Sequence, residues 1–164
     1  MKVLRSMVWM LAIASLAIMG EACNGSAGSG GHPDFDLLSY GVPLKIKAPE
    51  DSVVNVDDLG IVQDITVVSG DAFNLQILAG TAYVSDVSTV VEKQKSDAMT
   101  SSTFSKIVEE DGNGFIFEKK YSEERISYDF RYVRLQGDKE FVFQTGLLGQ
   151  FTLEQVKEMY NSVK

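Results

Sequence analysis

Histidine and cysteine each occur once in this chain, as His32 and Cys23. That excludes an internal disulfide framework, a zinc site of thiolate and imidazole ligands, and a Cys–His catalytic pair. No Gly-x-Ser-x-Gly, P-loop or Gly-x-Gly-x-x-Gly pattern is present, so nothing marks serine hydrolysis or a phosphate cradle. Positive charge is short as well: 15 Lys+Arg stand against 23 Asp+Glu, a formal net charge of −8 with no basic block. Nucleic acid is therefore a poor partner, because phosphate binding needs clustered cations. No segment repeats at a period of about 20–50 residues, which excludes solenoids and propellers. What remains is a 164-residue chain with 45% hydrophobic residues, room for one core of ordinary size.

The one long apolar run is at the start. Lys2 and Arg5 precede Met7–Met19, 13 residues broken only by Ser15. A bilayer core about 30 Å thick needs roughly 20 apolar residues, so this run is too short for a stable spanning helix. A basic start, a short apolar stretch and the small Gly20 and Ala22 after it are the layout of a secretory signal peptide over residues 1–22. The next residue is Cys23. In this respect the chain resembles a bacterial lipoprotein precursor, whose cleavage motif ends in a small residue followed by cysteine. Gly20 and Glu21 stand where that family usually has an aliphatic and a small residue.

The resemblance implies a diacylglycerol on the Cys23 thiol and acylation of its amino group. The partner is then a membrane, reached through the lipid on Cys23. The implied location is the cell envelope. Asn24 after the cysteine favours an outer membrane where one exists. Physical chemistry points the same way. A bare cysteine at an exported N-terminus would be an exposed reactive thiol, whereas two or three acyl chains anchor stably. Simple secretion with a free thiol is the alternative, and Asn24-Gly25-Ser26 also reads as a glycosylation sequon.

Residues 23–34 form a Gly/Ser-rich tether; Asn24–Gly31 holds four glycines and two serines. About ten such residues span roughly 16–19 Å on average. His32 is expected to be a solvated loop side chain. Without residues 1–22 the chain has 13 Lys+Arg and 22 Asp+Glu, a net −9.

Residues 35–164 read as a single domain. Val42, Leu44, Ile46 and Ala48 alternate with polar neighbours, an edge-like strand with Lys45 and Lys47 in water. Ile61–Val68 and Ala72–Ala79 flank Ser69-Gly70-Asp71, a hairpin signal. Over Ser85–Met99 the period becomes helical, with Ser85 or Asp86 as the cap. Four strands then follow as a meander: Phe104–Glu110, Phe115–Tyr121, Arg125–Leu135 and Lys139–Leu147. In the third, Ile126, Tyr128, Phe130 and Tyr132 form the buried face, and Arg125, Ser127, Asp129 and Arg131 a wet one with ion pairing. Thr152-Leu153-Glu154-Gln155 is a capping box opening a helix whose stripe is Leu153, Val156, Tyr160 and Val163. The expected class is α+β: an antiparallel meander sheet with a central and a C-terminal helix packed on one face. This order of elements is similar to the Mog1/PsbP-like fold. Fold does not fix function.

Chemistry is thinly marked. Paired carboxylates occur at Asp57-Asp58, Glu109-Glu110-Asp111 and Glu123-Glu124. Adjacent strand residues point to opposite faces, so such pairs do not naturally share a site. Glu109–Gly114 gathers oxygen ligands around a turn, but Phe115 breaks an EF-hand pattern, and a tight hairpin at Asn113-Gly114 explains it without calcium. Cation clusters are small: Lys119-Lys120, and Arg125, Arg131 and Arg134 around one strand, the latter a candidate anion or protein contact. Tyr121, Tyr128 and Tyr132 are candidates for a groove or for core. The reading that results is a lipid-anchored envelope protein with a small non-enzymatic domain, no catalytic residues and no cofactor or metal, binding a protein or small ligand. The alternative is a secreted or periplasmic carboxylate-dependent enzyme, with calcium as an option.

Overall fold

The computed structural model describes residues 31–164, so the leader, Cys23 and most of the tether lie outside the described residues. The elements are β1 (Asp34–Asp36), β2 (Lys45–Lys47), β3 (Val53–Asp58), β4 (Val62–Ser69), β5 (Phe73–Thr81), α1 (Val87–Met99), β6 (Phe104–Asp111), β7 (Gly114–Lys120), β8 (Ile126–Gln136), β9 (Lys139–Thr145) and α2 (Leu153–Ser162). A 3-10 turn, Leu38–Tyr40, links β1 to β2.

β3 to β9 make one seven-stranded antiparallel sheet in the order β3-β4-β5-β9-β8-β7-β6. It is two meanders sharing a seam. β3–β5 runs outward from one edge. α1 carries the chain to the far edge, and β6–β9 returns to pair β9 with β5, Ile77 opposite Phe143. Both edges are exposed, and β6 breaks its register at Phe104/Lys106 and again at Ile107/Glu109. Such bulges twist an edge away from further pairing.

The fold class is the α+β arrangement the sequence implies, but the two helices lie on opposite faces. The reason is visible in β7. Ile116 points into the larger core with Phe130, Phe141, Phe143 and the α2 residues Val156, Met159 and Tyr160. Its neighbours Phe115 and Phe117 point the other way, to Val90, Val91 and Ala98 of α1 and to Val133. A strand apolar on both sides asks for cover on both sides. The α2 face is also covered by the N-terminal segment, through Leu37, Val42, Leu44, Ile46 and Ala48. This segment alternates buried and exposed as its sequence indicates, with Lys45 and Lys47 outward, yet only β1 pairs with it.

Local chemistry sets the helix starts. Asp86 caps α1: its carboxylate accepts from the Ser88 N–H at 3.1 Å and from the Ser88 and Thr89 hydroxyls. Thr152 and Gln155 form the full capping box on α2. At the β6–β7 hairpin, the turn residues are Gly112 and Asn113, and Gly114 already pairs with Asp111. Glycine is required at 114 by proximity: a Cβ there would lie 2.2 Å from the Arg131 carbonyl oxygen.

Candidate functional site

The β8 face expected to be wet lies under α1. Ser127 is fully buried and Asp129 is only 7% exposed. The alternation was right, but the sheet is covered on this side too. Asp129 carries a buried negative charge, and every nearby group answers it. Lys119 Nζ sits 3.1 Å from one carboxylate oxygen, Oδ2, and Arg131 Nη1 3.1 Å from the other, Oδ1. Oδ1 also accepts from the Thr145 hydroxyl at 2.7 Å and from the Thr145 N–H at 3.2 Å. Burial pushes the Asp129 carboxyl up, but the charges of Arg131 and Lys119 and the bond from Thr145 outweigh it and hold it below the usual range. The carboxylate therefore stays ionised at neutral pH.

Above this triad is an open groove of about 390 Å³. α1 contributes Gln94, Asp97 and Ala98, the turn after it Ser101 and Thr103, and β7 Phe117 and Lys119; Gln144 of β9 and Tyr121 close it. Arg131 lies over the Phe117 ring, 5.4 Å from its centroid, a cation–π contact that helps to hold the guanidinium in place. Gln144 is held from behind: its amide donates to Gln76 at 2.6 Å, and Gln76 donates to Asp64 at 2.7 Å. The Gln144 carbonyl oxygen has no protein donor among the described residues.

The charge count of the triad matters. Two cations share one carboxylate, so the cluster is net positive by one. Among the described residues, Arg131 uses only Nη1, on Asp129 and on the Phe130 carbonyl oxygen at 2.7 Å. Among the described residues the other N–H groups of Arg131 have no protein partner, and Lys119 bonds to Asp129 alone. Asp97, the other carboxylate of the lining, is already paired with Lys93 at 2.9 Å.

The sequence candidates divide. Lys119 and Lys120, adjacent in β7, go to opposite faces; Lys120 pairs with Glu123 at 2.8 Å. Arg131 reaches the groove. Arg125 stacks on Tyr121, 5.0 Å from its centroid. Arg134 donates to the Val163 carbonyl at the end of α2. Tyr121 lines the groove, whereas Tyr128 and Tyr132 pack against the opposite core. The carboxylate pairs are dispersed: Glu109 meets Lys157, Glu110 meets Lys95 at 2.7 Å, and Asp111 meets Lys164 at 2.9 Å. Among the described residues no group of three or more His, Cys, Asp and Glu could hold a metal. His32 is not a free loop side chain. It packs edge-on against Phe73, ring centroids 5.4 Å apart, and its Nε2 lies 2.9 Å from Glu158 without hydrogen-bond alignment.

Gln94 falls in phase with Val87, Val90, Val91 and Ala98 on α1, which puts it on the inner face without marking it as a binding residue, and Gln144 carried no signal in the sequence. Comparison with protein-family models, curated proteins and solved structures finds no match to the chain. No helix among the described residues is long and apolar enough to cross a membrane.

Proposed function

We propose that this protein is a lipid-anchored envelope protein whose domain binds a small polar anion in the groove between α1 and the sheet. The anchor reading rests on the sequence alone: a short apolar leader, small residues before Cys23, and the only thiol placed where a lipoprotein precursor carries it. The observation that carries the binding reading is the triad, two cations on one buried carboxylate beneath an open cavity.

The lining specifies the ligand's character. A carboxylate suits the spare Arg131 and Lys119 donors, and the planar guanidinium offers paired N–H groups to it. Hydroxyls on the same ligand suit Ser101, Thr103, Gln94 and Gln144. Phe117 supplies an apolar floor. Asp129 acts as a positioning residue: it fixes both cations without quenching them. The non-enzymatic reading rests on the sequence, which carries no motif for serine hydrolysis or phosphate chemistry.

Glucuronate is a suitable probe, a carboxylate with a ring of hydroxyls, and glucose is its neutral control. Titrated into ¹⁵N-labelled protein, glucuronate should produce saturable shifts at Arg131, Lys119 and Gln94, and glucose none. Arg131→Gln should weaken the effect about ten- to a hundredfold, the worth of a charged hydrogen bond of roughly 1.5–3 kcal/mol. Gln94→Ala, on the groove wall and outside the triad, should weaken it less and leave the fold intact. Equal response to glucose, or none to either sugar, contradicts the groove reading.

A further inference from the structure

Four apolar side chains stand out as nearly fully exposed: Ile61 at 89%, Tyr83 at 91%, Leu147 at 81% and Leu148 at 86%. They fall at opposite ends of the sheet. Ile61 and Tyr83 lie at the β3–β4 turn and after β5, beside Asp58 and Lys139. Leu147 and Leu148 lie at the other end, between β9 and α2. The sequence around them carries no charge: from Phe141 to Leu153 there is no Asp, Glu, Lys or Arg.

The two-leucine tip is held in place. The Gly146 N–H donates to the Asn74 carbonyl oxygen at 2.8 Å, and the Asn74 side-chain amide donates to the Leu148 carbonyl oxygen at 3.3 Å. A Cβ on residue 146 would lie 2.0 Å from the Asn74 side-chain oxygen, so a larger residue there would displace the Asn74 side chain that holds Leu148. A flexible loop would fold its leucines back onto the protein. This one presents them outward on a fixed backbone.

The start of the described chain is at the same place. His32 packs on Phe73, the residue before Asn74. The chain that leads back to Cys23 therefore leaves the domain at the end where Leu147 and Leu148 project. Gly31 is the eighth residue after Cys23. A flexible stretch of that length has an average reach of about 14–17 Å, at about 5–6 Å times the square root of the length.

We infer that Leu147 and Leu148 are a second, apolar contact with the bilayer, dipping into the interface beneath the tethered domain and fixing its orientation with the Ile61–Tyr83 end outward. This rests on the lipid-anchor reading. Attraction to anionic lipid is not the cause: the chain is net negative, and Asp71, Glu123 and Glu124 lie in turns at this end. Apolar side chains at an interface act by burial of area, so the contact needs no acidic lipid.

The test separates this from the anchor itself. The chain from Cys23 onward loses Trp9, so Leu148→Trp creates a sole tryptophan. This chain, whose domain has its own core, is coupled through Cys23 to a maleimide lipid in phosphatidylcholine vesicles, which supplies the anchor whatever the native sulfur carries. Leu148→Trp emission should shift to the blue and be quenched by brominated lipid, and Leu147→Trp should behave alike. Ile61→Trp, at the far end, should remain aqueous. Unquenched tryptophan at both 147 and 148, or equal quenching at 61, overturns the proposal. A bare native Cys23 would instead refute the anchor and leave these readings unaltered.

Discussion

At the scale of single residues the molecule turns on Asp129. A buried carboxylate is costly unless paired and hydrogen-bonded, and here it is both. Asp129→Asn leaves Lys119 and Arg131 under α1 without a counter-charge. Breaking a buried pair in this way costs about 3–5 kcal/mol, read as a lower urea midpoint at neutral pH. The pH dependence follows from the depressed native pKa. The carboxylate's contribution is complete above the ordinary carboxylate range and is lost as pH falls through the native value. The gap between wild type and Asp129→Asn should therefore narrow towards acid. A gap that widens there would contradict the assignment of Asp129 as the stabilising charge. The Asp129–Arg131 pairing was legible in the sequence, because residues two apart in a strand share a face. Its burial was not, since nothing local in β8 says that a helix from 40 residues earlier in the chain covers that face. Lys119 differs from Lys120 only by the parity of its strand position, which the sequence does not set until the register with β8 is known.

At the scale of elements, signals that close locally were readable. The capping box of α2 is one: Thr152 and Gln155 satisfy each other's backbone groups within a single turn. Thr152→Ala should destabilise the protein by about 1 kcal/mol, measured by urea denaturation. No loss would mean that α2 is held by packing of Val156, Met159 and Tyr160 alone. The β4–β5 hairpin and the β6–β9 meander were equally plain, because each strand pairs with its sequence neighbour. β3 was missed. Val53–Asp58 is short, ends in two aspartates and lies at an edge, so only Val54 and Val56 turn inward. β1 was missed for a similar reason: its three residues are strand only because β2 is there to pair. Met159 fell outside the expected α2 stripe, although its spacing of three from Val156 places it on the same face.

At the scale of the whole molecule, the sheet's two faces do different work. The α2 face is closed by a helix and by the N-terminal segment, and it holds most of the fully buried side chains. The α1 face is covered mainly at β7 and β8, and the groove opens where α1 ends. The N-terminal segment packs on the closed face and begins at the end of the sheet where Leu147 and Leu148 project. The proposed anchor is the central claim, since it would give the exposed leucines a surface to meet and the groove a fixed setting. The intact mass of the chain purified from membranes of the producing cell tests it most directly. The account predicts a polypeptide beginning at Cys23, with its sulfur carrying diacylglycerol and its amino group acylated. A chain that retains residues 1–22, or one that begins at Cys23 with an unmodified thiol, would contradict it.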